Sequence, residues 1–241
     1  MKRINESGPF WIDPETEILD FPDAALAMRD PPGLLAIGGD LSVDRLLSAY
    51  RNGIFPWFGP GQPILWWSPD PRLVLFPEQL RISRSLARTL RKALFTVTLD
   101  QDFAAVIAGC AAPRPGQSGT WITAEMRAAY LALHRQGYAH SVECWQHGEL
   151  VGGLYGVAIG RVFFGESMFA RVTDASKAGF VALVRELQQR GFGLIDCQVK
   201  TAHLLSLGAI TIARSEFIER LRSGCAQPGY PGRWTLADGR I

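Results

Sequence analysis

The chain is poor in the residues that bind metals and form cross-links: it has four cysteines and four histidines in 241 residues. Cys110, Cys144, Cys197 and Cys225 are widely separated and form no C-x-x-C pair, so neither a thiolate metal site nor a compact disulfide framework is expected. Three of them lie in apolar contexts of the kind in which free thiols pack, which points to a reducing, cytoplasmic setting. His134, His140, His147 and His203 show no i,i+4 pairing and no H-E-x-x-H, leaving a metal site without support. No cofactor is expected.

Long apolar runs are also missing. The longest are broken by Gly, Arg or Glu within about ten residues, well short of the roughly 18 that suggest a membrane span. Residues 1–8 begin with positive charge but carry neither the apolar core nor the small-residue cleavage site of a secretory signal, so export is not expected. Nor is one sign of charge in excess: 25 basic residues face 23 acidic ones, for a net charge of +2. Bulk charge therefore does not mark a nucleic-acid binder, and only local clustering could.

What is present is apolar content of 47%, enough in a chain of this length to bury one large core or two smaller ones. The first seventy residues are dense in turn formers, among them Asp30-Pro31-Pro32-Gly33, Gly38-Gly39-Asp40 and Gly59-Pro60-Gly61-Gln62-Pro63. A small, loop-rich N-terminal domain is expected over 1–71. Within it Ser42 caps a helix through Leu46, Leu47 and Tyr50 that stops at Asn52-Gly53.

Longer elements follow over 72–241. Strands are expected at 72–76 and 95–99, and helices at 83–92, 102–112 and 123–136, the last capped by Thr123 and stopped by Gly137. Three strands at 138–145, 150–159 and 161–169, joined at His147-Gly148 and Gly160, form an antiparallel meander. A helix capped by Asp174 and ending at Arg190-Gly191, then a strand at 194–199, complete an α+β domain with a mixed, mainly antiparallel sheet flanked by helices. The tail from Gln227 to Gly232 is expected to be irregular chain and is assigned no role.

Two acidic residues stand out. Glu166, in Phe163-Phe164-Gly165-Glu166-Ser167-Met168-Phe169, places a carboxylate in an apolar strand, where it costs several kcal/mol unless a partner or ligand compensates it. The ordinary alternative is a buried Glu satisfied by backbone donors or by Arg171. Asp196 lies in Leu194-Ile195-Asp196-Cys197-Gln198-Val199, and strand alternation puts it on one face with Gln198. Arg84, Arg88, Arg91 and Lys92 give one helix a basic face, which is either a solvated surface or a phosphate contact.

Gly165-Glu166-Ser167-Met168-Phe169, Ile195-Asp196-Cys197-Gln198 and Asp174-Ala175-Ser176-Lys177 together resemble the blocks of bacterial leucyl/phenylalanyl-tRNA-protein transferases. The N-terminal half agrees through Gly38-Gly39-Asp40-Leu41, Gly53-Ile54-Phe55-Pro56-Trp57-Phe58, Trp66-Trp67-Ser68-Pro69-Asp70-Pro71-Arg72 and Gly119-Thr120-Trp121-Ile122-Thr123. The resemblance spans roughly residues 33–213 and implies a catalytic domain like the GNAT acyltransferases. It also implies transfer of Leu, Phe or, less readily, Met from aminoacyl-tRNA to proteins beginning with Arg or Lys, marking them for degradation by the N-end rule.

On that resemblance Glu166, Asp196 and Gln198 are the catalytic candidates. Leu154, Phe163, Met168, Phe180, Leu183 and Ile195 line the aminoacyl pocket. Trp57, Trp121 and Tyr130 contact the terminal adenosine, and Arg84, Arg88, Arg91 and Lys92 contact tRNA. The donor is an activated ester and the acceptor amine has a pKa of about 7.7 to 8.0. Alignment, at roughly 7 to 11 kcal/mol, is thus expected to outweigh proton transfer, at about 10² to 10⁴-fold. An acyl-CoA-dependent acetyltransferase is disfavoured because no Q/R-x-x-G-x-G/A loop precedes the Asp174 helix. A non-enzymatic RNA-binding module would explain the basic helix but not the three polar strand residues.

Overall fold

The structure, a computed structural model, describes residues 2–4, 8–113 and 120–236. Gly119 of the tryptophan-containing block lies outside them. The turn-rich N-terminal segment builds a sheet from short strands: β1 (Lys2–Arg3), β2 (Phe10–Ile12), β3 (Leu34–Gly38), β4 (Phe55–Pro56) and β5 (Leu65–Trp67), in the order β1-β2-β3-β5-β4. Between β3 and β4 runs α1 (Val43–Arg51), where the Ser42 hydroxyl accepts the Arg45 N–H at 3.3 Å. The chain leaves α1 through Gly53 at φ 72°, where an added Cβ would meet Phe217 and Ile218.

The second sheet has seven strands. These are β6 (Arg72–Leu75), β7 (Thr96–Leu99), β8 (Ala139–Gln146), β9 (Glu149–Ile159), β10 (Val162–Ala170), β11 (Leu194–Gln198) and β12 (Ile210–Ile212), ordered β12-β6-β11-β10-β9-β8-β7. Strands β8 to β10 are the expected antiparallel meander, and β7 adds to its edge antiparallel to β8. Its turns use positive φ at His147, Gly148 and Gly160, where Gly carries no steric penalty. The pair β10/β11 is parallel, joined by the crossover helix α5 (Ala175–Gln189). The architecture is α+β.

Alternation along β9 sorts the two faces. Tyr155, Val157 and Ile159 point into a core shared with α1, α3 (Phe103–Ala111) and α4 (Ala124–Arg135). Leu154 and Ala158 point into one shared with α2 (Arg84–Arg91) and α5. Strands of this kind, buried on both faces, read as nearly continuous apolar runs. The first core also takes in Leu35, Phe55 and Trp66 from the N-terminal sheet and Tyr50 from α1, so the two sheets close on common packing.

Two expectations need correction. Asp174 holds the N-cap position of α5 but makes no side-chain cap bond: it sits in the left-handed region at φ 66°, and its carboxylate instead takes Lys177 Nζ at 2.9 Å and the Thr89 hydroxyl at 3.0 Å, tying α2 to α5. These partners, Lys177 first, hold its pKa below the usual carboxylate range. The tail is anchored rather than idle. Tyr230 lies 4.3 Å from the Arg161 guanidinium. Trp234 stacks on His140 at 3.7 Å and donates its backbone N–H to Asp100 at 2.7 Å. The helix α6 (Arg214–Cys225), which leads into this tail, was also outside the sequence expectations.

Candidate active site

Strands β10 and β11 pair only as far as Phe164 opposite Asp196. Beyond that point β10 continues against β9 alone, with a bulge between Gly165 and Ser167, and β11 has a register shift against β6 between Asp196 and Gln198. The space left where their pairing ends is a cavity of about 410 Å³. Gly165, Glu166 and Ser167 line one side of it, and Cys197, Gln198 and Val199 the other. Bulges re-aim side chains in this way at functional sites.

The floor is apolar. Leu154, Phe163, Met168, Phe180 and Ile195 line it; Leu183, fully buried in the core that α5 packs on, does not. Trp57 and Trp121 also line the cavity. Trp57 is 47% exposed, its carbonyl accepting the Trp67 indole N–H at 2.7 Å.

At the polar end Glu166 is enclosed by protein on all but its cavity edge. Its carboxyl group is hydrogen-bonded to the Tyr50 hydroxyl at 2.7 Å, the Tyr130 hydroxyl at 2.7 Å and Gln198 Nε2 at 3.1 Å. Desolvation pushes its pKa up to about 7, assisted by the charge of Asp196; hydrogen bonds donated to an ionised carboxylate would act the other way. Tyr50, Tyr130 and Tyr155 are held well above the usual phenol pKa, first by burial and then by Glu166. Cys197 is pushed up by burial and by Asp196, so its thiol is a poor nucleophile.

Asp196 departs from the sequence expectation. Gln198 adopts φ 60°, which breaks the two-residue alternation, so Gln198 turns into the cavity while Asp196 stays fully buried behind it. Both Asp196 oxygens are taken by Arg72, whose Nε and Nη2 donate at 2.8 and 2.6 Å. The guanidinium lies 4.8 Å from the Phe55 ring and 4.6 Å from that of Phe217, with Nη1 donating to Gly53 O at 3.2 Å. Asp196 Oδ1 also accepts the Gln198 backbone N–H at 2.9 Å, which fixes the bulge that presents Gln198.

These motifs and this cavity can be compared with known proteins. The family described as leucyl/phenylalanyl-tRNA protein transferase matches residues 74–222, and its N-terminal domain matches residues 39–70. A leucyl/phenylalanyl-tRNA–protein transferase of Pseudomonas fluorescens (strain SBW25) is 61% identical over 224 residues, covering 93% of this chain and 98% of the relative. One of Nitrosomonas europaea is 62% identical over 214 residues, covering 89% and 91%. The chain belongs to the leucyl/phenylalanyl-tRNA protein transferase family.

It is thereby an aminoacyltransferase. Among solved structures, that of L-PGS from Bacillus licheniformis overlaps 83% of this chain and 66% of its own at 12% identity, with a TM-score of 0.38. A GCN5-related N-acetyltransferase from Kribbella flavida overlaps 69% and 60% at 16% identity, with a TM-score of 0.33. Overlaps this partial say nothing of substrate.

The transferase family's two matched segments meet at the polar centre, the first contributing Tyr50 and Trp57, the second Tyr130, Glu166, Asp196 and Gln198; Arg72 lies between them. Tyr130 is corrected by the structure: with its ring fully buried against Tyr155 at 5.3 Å, it offers no face to a base, and its hydroxyl serves Glu166. Arg84, Arg88, Arg91 and Lys92 are all exposed on α2 and its C-cap, with no ion pair among the described residues. Thr201, His203 and Leu204, which sequence reasoning left unassigned, close the cavity beyond β11. Among the described residues no cluster suits a metal, and no helix is long and apolar enough to cross a membrane.

Proposed function

We propose that this aminoacyltransferase moves Leu, Phe and, less readily, Met from the 3′ end of aminoacyl-tRNA to the α-amine of cytoplasmic proteins beginning with Arg or Lys, marking them for degradation. The observation that carries the reading is one cavity with an apolar floor, two tryptophans and a polar end formed by Glu166 and Gln198. An apolar floor suits a Leu or Phe side chain, and its shape must do the discriminating because a hydrophobic pocket separates near-isosteres only weakly. Trp57 and Trp121 offer aromatic faces for the terminal adenine, a contact that contributes about 1 to 3 kcal/mol per base.

In this reading Glu166 and Gln198 meet the reacting groups and orient the amine. Asp196 is a positioning residue that holds the bulge through the Gln198 backbone N–H. The reaction joins the amine nitrogen to the ester carbonyl carbon and releases the ribose oxygen with a proton, so alignment supplies most of the rate. The exposed arginines of α2 suit tRNA phosphates. Transfer of labelled Leu from charged tRNA to an Arg-initiated peptide, and its absence with an Asp-initiated peptide, is the expected result. Folded protein that transfers to neither would sink the proposal.

A further inference from the structure

We infer that Tyr50, Tyr130 and Glu166 hold three protons between them rather than two, so that Glu166 meets the cavity as a neutral carboxyl group closing a ring of hydrogen bonds. Three oxygen contacts define the ring: Tyr50 Oη to Tyr130 Oη at 2.6 Å, Tyr50 Oη to Glu166 Oε1 at 2.7 Å, and Tyr130 Oη to Glu166 Oε2 at 2.7 Å. Each is a full-strength O–H···O distance, and each needs one hydrogen between its two oxygens. Two phenols supply two hydrogens and an ionised carboxylate supplies none. One contact would then press lone pair against lone pair, in a place where both tyrosines are sealed from solvent.

A protonated Glu166 fills all three. Oε2–H donates to Tyr130, the Tyr130 hydroxyl to Tyr50, and the Tyr50 hydroxyl to Oε1. Oε1 is then a carbonyl oxygen with room for a second donor, and Gln198 Nε2 occupies that place at 3.1 Å. Every hydrogen is used once, and a closed ring strengthens its own members.

The surroundings agree. Tyr50 faces Glu166 from α1, Tyr130 from α4, Tyr155 from β9 and Gln198 from β11, and none of them is cationic. Asp196 repels a second negative charge, and the nearby cation, Arg72, is bound to Asp196. With Glu166 held near a pKa of about 7, the third proton sits close to its tipping point in neutral solution. A neutral carboxyl spares an incoming amine the ion pair that would hold it as unreactive ammonium. That consequence rests on the aminoacyl-transfer reading; the proton count does not.

The test is infrared spectroscopy of the full chain without tRNA, which separates its failure from that of the transfer assay. A protonated-carboxyl C=O band is expected at acidic pH, titrating away at a midpoint near 7 and absent from Glu166→Gln. Tyr50→Phe and Tyr130→Phe decide the matter. Removing one hydroxyl leaves a single phenol contact that its own hydrogen fills, so charging Glu166 strands no oxygen pair and the midpoint falls, by roughly half to one unit. Were the phenols simple donors to a carboxylate, losing one would raise the midpoint. A midpoint that rises or stays, or a missing Glu166-dependent band in the wild type, overturns the inference. If one variant does not fold the other answers.

Discussion

Glu166 and Asp196 stand on neighbouring strands of one sheet, and the protein answers their charges in opposite ways. Asp196 is given a cation at 2.6 Å, clamped in turn between two aromatic rings. Glu166, at the edge of the cavity, is given two phenols, an amide and no cation among the described residues. A carboxylate paired with Arg stays charged and inert, which suits an anchor. One surrounded by neutral donors in a dry site sits near its own titration point, as groups that handle substrate do.

The contrast is broken most severely by Arg72→Ala, which leaves Asp196 buried and unpaired. It is expected to cost about 3 to 5 kcal/mol in urea unfolding, whereas pairing Arg72→Met with Asp196→Leu should cost much less than the two single changes combined. Proton linkage sharpens the contrast next. The folded pKa of Glu166, about 7, lies above the ordinary 4.5, so the folded state binds more protons between those values and its stability falls as pH rises through them. Against Glu166→Gln as reference, wild-type stability should decline over this window by at most about 3 kcal/mol and level off above it. A flat difference would show that Glu166 keeps one protonation state across this window.

The rim extends the contrast from charge to surface. Trp57→Ala is expected to weaken aminoacyl-tRNA binding by about 1 to 3 kcal/mol while leaving the unfolding midpoint unchanged, because Trp57 is half exposed where Trp66 is fully buried. A drop in stability with unaltered binding would make Trp57 a core residue. The smallest effect belongs to α2. Replacing Arg84, Arg88 and Arg91 with Ala should lower the slope of log binding against log salt by roughly 0.7 to 0.9 for each phosphate no longer neutralised, with transfer at saturating tRNA unaffected. An unchanged slope would return these arginines to ordinary solvated surface.

Much of the fold was legible because local chemistry dictates it. Ser42, Ser83 and Thr123 each cap the helix read from sequence, and Gly137 ends one. Glu166 stood out as an acid in an apolar strand, and the family resemblance, not periodicity, pointed to the five residues that line the cavity with it. The relation of Asp196 to Gln198 did not, because left-handed backbone at a glutamine has no sequence signature of the kind Gly or Asn provides. Tyr50 read only as a residue of its helix and Tyr130 as an adenosine contact implied by the resemblance, since periodicity shows which way a side chain points but not what it meets. Arg72 was visible as a lone charge opening an apolar strand; a lone acid in another apolar strand, Asp196, was the signal that the two pair. Trp234 was hidden by the Pro-Gly turns before it.

The seam of β6 against β11 also sets an order of assembly. Arg72 and Asp196 are separated by 124 residues of chain, and β6 must slot between β11 and β12. The β8 to β10 meander can zip locally, but closing so long a loop loses entropy before any contact rewards it, and non-local pairing is slow. The bulge that aims Gln198 is therefore among the last features to form. A folding chain carries its helices, its meander and much of its apolar floor before it has a working centre, and activity returns on refolding later than secondary structure does.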